Sequence, residues 1–255
     1  MSRNRAMNTS YPVERFRRII TAFSILLLAA LSATAFAQMG GGASNPELQQ
    51  KLMALKQSMA ANKQKLRQYQ WVETQQITLK GEQKPEKVFQ CSYGPNGQIQ
   101  KIPLGAQPQQ QDQGRRGGLR GRIVEKKTAE MKDYMQDVQS LLSMYVPPNS
   151  QLIQQAIQKH NVSIDKTVGS GLTQLVFHNY AKQGDTLTMG FNAGAKKIES
   201  INVNTYMDNP QDAVTLAVRM ATLPDGTSYT QQTLLNATAK QIQVTTTNSN
   251  YAKIQ

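Results

Sequence analysis

Residues able to do chemistry are few in this 255-residue chain. They reduce to one cysteine, Cys91, two histidines, His160 and His178, and scattered carboxylates such as Asp208 and Asp212. A nucleophilic enzyme needs a nucleophile, a base and an acid that orients the base. No Gly-x-Ser-x-Gly, His-Glu-x-x-His, glycine-rich phosphate loop or closely spaced cysteine pair supplies that set. His178 lies in Leu175-Val176-Phe177-His178-Asn179-Tyr180, a strand-like run, and has no second ligand nearby; a metal site needs several. It reads as a surface or core-edge histidine. His160 closes a predicted helix, where its charge suits the dipole. Asp208 and Asp212 bracket Asn209-Pro210, so turn caps account for both. Catalytic residues, metal ligands and a cofactor site are therefore not expected, and the chain reads as a non-enzyme.

Cys91 has no partner thiol, so a structural disulfide is not expected and the domain must rest on its hydrophobic core. In a strand such a thiol reads as a small buried apolar residue.

The elements that would position these residues follow from periodicity. Asn45-Pro46 caps a helix. Leu48, Leu52, Leu55, Met59, Leu66 and Tyr69 share one face of it, predicting an amphipathic helix over 46–69. Alternation then predicts strands over 71–79, 87–93 and 98–104, with Gly81 to Lys84 a turn and Gly94-Pro95-Asn96-Gly97 a hairpin loop. Residues 107–122 (QPQQQDQGRRGGLRGR) hold almost nothing apolar and read as a disordered loop. Helical spacing returns over 123–145 and stops at Pro147-Pro148; a third helix starts at Asn149 or Ser150. Strands are predicted over 172–181, 186–191, 197–207, 213–223, 228–235 and 240–247. Their one-sided alternation, as in Val214, Leu216, Val218 and Met220 against Thr215, Ala217 and Arg219, marks an antiparallel sheet covered on one face.

The start of the chain addresses compartment. Arg3, Arg5, Arg15, Arg17 and Arg18 precede an uncharged apolar run at 19–37 that ends in Ala35-Phe36-Ala37. This is a signal-peptide pattern with cleavage before Gln38, which places the protein in the periplasm or outside the cell. The run is also long enough to span a bilayer, so an uncleaved inner-membrane anchor is the alternative. The resulting domain reading is a signal peptide at 1–37, a flexible spacer at 38–44 and one α+β domain at 45–255, with a Gln/Gly/Arg-rich loop at about 105–122.

Net charge is +13 with the leader included, and the basic excess that remains after cleavage favours anionic partners. Arg115, Arg116, Arg120 and Arg122 are the candidate contacts with an anionic membrane surface or an envelope protein. Export makes nucleic acid an unexpected partner.

The element order, together with Leu223-Pro224-Asp225-Gly226, Tyr229-Thr230-Gln231-Gln232-Thr233, Ile242-Gln243-Val244-Thr245 and the closing Asn250-Tyr251-Ala252-Lys253, resembles the LolA-like superfamily of periplasmic outer-membrane lipoprotein-sorting proteins. The resemblance implies a curved antiparallel sheet, an incomplete barrel, covered on its concave face by about three helices. It also implies a hydrophobic or lipid-like ligand, with Met131, Met135, Val138 and Leu142 as lining residues; ordinary core is the other reading of those four. The group's polar latch and partner surface have no assignable residues here, so lipoprotein carriage is not carried over. The expected function is that of an exported, non-enzymatic binding protein. A cell-envelope structural or assembly protein acting by surface contact is the alternative.

Overall fold

The computed structural model describes residues 57, 60–105, 119–166, 172–192, 194–195 and 197–254. The predicted signal peptide and spacer, most of the first helix's N-terminal part, and the loop segment with Arg115 and Arg116 lie outside the described residues. Three helices are described: α1 (60–66), α2 (Leu119–Leu142) and α3 (Ser150–Gln158). The strands are β1 (Tyr69–Leu79), β2 (Glu82–Gln83), β3 (Lys87–Tyr93), β4 (Ile99–Leu104), β5 (Val162–Lys166), β6 (Leu172–His178), β7 (Thr186–Asn192), β8 (Lys197–Tyr206), β9 (Ala213–Thr222), β10 (Ser228–Ala237) and β11 (Ile242–Lys253).

All eleven strands join one antiparallel sheet in the order β4-β3-β1-β11-β10-β9-β8-β7-β6-β5, with β2 paired to β1. The sheet is open: β4 and β5 are its edges. Its long meander, β5 to β11, comes from short turns between alternating segments. The β1–β11 pairing joins the two ends of the described chain.

Register shows why the alternation matters. Val162, Phe177, Leu187, Val203, Leu216, Leu235, Val244 and Ile77 stand opposite one another in a single row across eight strands. On the opposite face, His178, Thr186, Asn204, Thr215, Asn236, Gln243, Thr78 and Gln83 form a polar row. A one-residue slip would exchange the two rows, so burial pins the register. The apolar row shares one core with Met135, Val138, Leu141 and Leu142 of α2, Ile153 and Ala156 of α3, and Tyr145 and Val146 between the helices.

Polar ties fix the helices. Asn149 caps α3 by accepting from Gln151 N at 2.8 Å. Tyr134 donates to Asp212 at 2.9 Å, joining α2 to the β8–β9 turn. Asn62 of α1 exchanges two hydrogen bonds with the Ser228 backbone, at 2.7 and 2.6 Å.

Several elements differ from the sequence expectations. Tyr69 opens β1 instead of ending a helix; its hydroxyl donates to Asp225 at 2.7 Å, a long-range contact that local periodicity does not register. α2 begins at Leu119, so Arg120 and Arg122 belong to its first turn and not to the loop; glycine-rich composition hid that start. Glu82–Gln83, read as part of a turn, pair with β1. β5 was not predicted, because in Val-Ser-Ile-Asp-Lys only two apolar residues alternate.

Candidate functional site

The apolar and polar readings of the sheet meet at the β4-β3-β1-β11 end. Alternation along β1 puts Tyr69, Trp71, Glu73, Gln75 and Ile77 on the covered face, and all five are buried. Only Ile77 joins the main core. Trp71 belongs to a second cluster with Phe89, Cys91 and Ile99, against which Tyr93 and Tyr251 pack. Between the clusters lies a buried polar band. Lys101 Nζ donates to both carboxylate oxygens of Glu73, at 2.6 and 2.8 Å, and both side chains are almost wholly buried. Next to the pair, Trp71 Nε1 donates to Asn248 at 3.0 Å, and Asn248 donates to the Thr230 carbonyl at 2.9 Å.

Beyond the band the rings form a continuous surface. Trp71 stacks on Tyr251, with centroids 5.5 Å apart and planes 9° apart, and Tyr93 lies 5.5 Å from Trp71 on a tilted plane. Tyr229 and Tyr69 follow at 4.4 and 6.3 Å from Tyr251. A bulge places Tyr251 there: between Gln70 and Val72 of β1, β11 carries one extra residue, with Asn250 at a φ of 54°. The extra residue changes the alternation of β11, so Tyr251 reaches Trp71.

Burial sets the protonation of these groups. It pushes the Cys91 thiol up to about 12, with the Glu73 carboxylate adding to the rise. Tyr93 is pushed up to about 12 by burial, against the opposing pull of Arg67. Tyr251 is raised further, again mainly by burial. All three groups therefore keep their protons at neutral pH; they present ring faces and hydrogen-bond donors, not nucleophiles. The Tyr93 hydroxyl is buried and has no hydrogen-bond partner among the described residues. An unmade hydrogen bond of that kind costs about 1–3 kcal/mol.

A second polar centre sits at the other end of the molecule. Asp185, in the β6–β7 turn, is 1% exposed. It accepts from Tyr145 Oη at 2.5 Å and from the backbone N–H groups of Tyr180, Ala181 and Lys182 at 2.5, 3.0 and 2.9 Å. Tyr145 Oη also lies 2.8 Å from Thr205 Oγ1. Burial and the bond to Asp185 raise the Tyr145 phenol above its ordinary value. The backbone bonds close the β6–β7 turn on itself, while the Tyr145 contacts with Asp185 and Thr205 tie the segment after α2 to the sheet.

The predicted site residues fall in several places. Met135, Val138 and Leu142 are buried in the main core, and Met131 packs against it half-buried. His178 is exposed on the polar face, with Nε2 3.2 Å from Ser163 Oγ; His160, also exposed, follows α3 at a φ of 57°. Asn209 caps its own turn by accepting from the N–H groups of Gln211 and Asp212. Among the described residues no cluster of three or more His, Cys, Asp or Glu could hold a metal, and no helix is long and apolar enough to cross a membrane. Sequence reasoning missed Glu73, Lys101, Tyr93, Tyr251 and Asp185. Alternation along β1, β3 and β4 was the available signal for Glu73, Tyr93 and Lys101; the β11 bulge hid Tyr251.

The chain matches no family model, no curated protein and no solved structure.

Proposed function

We propose that this protein is an exported, non-enzymatic binding protein of the periplasm that shelters a hydrophobic or lipid-like ligand against the aromatic end of the sheet's covered face. On this reading the sheet curves as a half-barrel, in the manner the LolA-like resemblance implies. The observation that carries the proposal is the Tyr93 hydroxyl, buried beside Trp71 and without an acceptor among the described residues. An amphipathic ligand offers an ester or carboxylate oxygen to accept from Tyr93, and an apolar chain to lie on the half-buried rings of Tyr251 and Tyr229 beside the buried Trp71. Met135, Val138 and Leu142 are committed to the main core, so the aromatic end is the better host.

Trp71 is the chain's one tryptophan, and its emission reports on this site alone. Titration with a lysophospholipid should give a saturable change in emission, with weaker affinity in Tyr93→Phe. No saturable change in the wild-type protein with lysophospholipid or fatty acid overturns the proposal.

A second reading, surface contact with an anionic membrane, is favoured by the first turn of α2. Arg120 and Arg122 lie there and no acidic residue does. Cations at a helix N-terminus oppose the dipole, so they do not serve helix stability. Replacing both arginines by glutamine should weaken binding to anionic vesicles and leave the fold intact; unchanged binding rejects this reading.

A further inference from the structure

The open sheet ends in two unlike edges. Antiparallel pairs alternate between hydrogen-bonded and non-bonded, so one bond fixes which residues face outward along a strand. At β4, Gly94 N donates to Gln98 O at 2.8 Å. Ser92–Gln100, Gln90–Ile102 and Val88–Leu104 are then the bonded pairs, and the backbones of Ile99, Lys101 and Pro103 face away from β3. Pro103 has no N–H to offer, which blunts this edge. At β5, His178 N donates to Asn161 O at 2.8 Å. Ser163–Val176 and Asp165–Gln174 are bonded pairs, and the backbones of Val162, Ile164 and Lys166 face away from β6. No proline lies in β5. Ile164 stands in the covered-face row of Leu175, Met189, Ile201 and Val218, yet it is 58% exposed.

We propose that β5 is a homodimer interface, pairing antiparallel with β5 of a second copy about a two-fold axis at Ile164. A two-fold interface must be self-complementary, and this strand is. Centred on Ile164, the register sets Ile164 opposite its counterpart, Val162 opposite Lys166 and Ser163 opposite Asp165. The three outward-facing residues all fall in bonded pairs, no like charges stand opposite each other, and the exposed isoleucines meet. The proline-blunted β4 edge prevents head-to-tail growth, so association stops at two copies. A five-residue strand makes a small interface, and the dimer is therefore weak and concentration-dependent.

Sedimentation equilibrium of the full chain tests this. The apparent mass should rise with concentration toward twice the monomer, and Ile164→Pro should remain monomeric with an unchanged circular dichroism spectrum, because the Ile164 N–H takes no part in pairing with β6. Ile164→Lys, which sets like charges opposite each other, is the second variant and should also remain monomeric. Ile164→Cys should be captured as a dimer by a short bismaleimide far faster than Ile102→Cys on β4; Cys91 is wholly buried and does not compete. A wild-type mass fixed at the monomer, equal self-association in both Ile164 variants, or equal cross-linking at the two edges overturns the proposal. A monomer whose Ile164→Cys thiol resists the reagent means that the chain's own segments cover the edge, and it also overturns it.

Discussion

The Glu73–Lys101 pair is the largest electrostatic commitment on the covered face. Two charges with side chains 5% and 6% exposed have given up most of their hydration, and their mutual attraction offsets that loss only while both are present. Glu73→Leu or Lys101→Met alone should therefore cost about 3–5 kcal/mol, while the double variant should fall close to the wild type or above it. Urea midpoints of the three variants check this. A different test applies to Asp225, which is exposed. The hydrogen bond from Tyr69, with backbone help from Thr227, holds its carboxyl down to about 2 from an ordinary 3.8, and the same bond raises the Tyr69 phenol. A depressed carboxylate stabilises the folded chain above its unfolded value and loses that contribution as pH falls through its folded value. The stability curves of wild type and Asp225→Asn should differ above pH 3.8 and converge as the pH falls to about 2. Curves that stay parallel through this range would show that the bond does not form in solution.

Among the strands, β11 makes the aromatic end possible, and its bulge at Asn250 is the controlling feature. Asparagine tolerates the left-handed backbone at a φ of 54°, whereas a β-branched side chain there is a steric outlier. Asn250→Val should cost about 1–2 kcal/mol, from the per-residue penalty of that conformation, and should move Tyr251 off Trp71. Asn250→Gly should retain both stability and stacking; near-ultraviolet circular dichroism and thermal midpoints separate the two outcomes. The strands themselves were legible in the sequence, because one-sided alternation such as Val214-Leu216-Val218 reports directly which face is buried. The bulge was not legible, since alternation is read within one strand while a bulge is defined by its neighbour. β5 stayed hidden for a related reason: an edge strand has fewer buried positions with which to show a period. Tyr69 and Leu119 mark the limits of the helical pattern, where a hydrogen bond from the Tyr69 hydroxyl to Asp225 across 156 positions and a glycine-rich helix start overrode it.

Across the molecule, one covered face carries two clusters with different tasks. The main core, from β5 to Ile77 of β1, joins the sheet to α2 and α3 through closely packed aliphatic side chains. The aromatic end lies beyond the buried Glu73–Lys101 band, and among the described residues its Tyr93 hydroxyl has no hydrogen-bond partner. Little of that contrast could be read from the sequence, in which Trp71, Tyr93 and Tyr251 are ordinary strand residues far apart in the chain. The open sheet order follows from β1 pairing with β11, a long-range choice that no local pattern encodes. The proposed binding role rests on the aromatic end, and native mass spectrometry of the protein released gently from cell envelopes tests it most directly. The account predicts a bound amphipathic molecule of discrete mass, retained in the wild-type protein and depleted in a Tyr93→Phe, Tyr251→Ala variant that still folds; a wild-type protein that flies only at the mass of its bare polypeptide contradicts it.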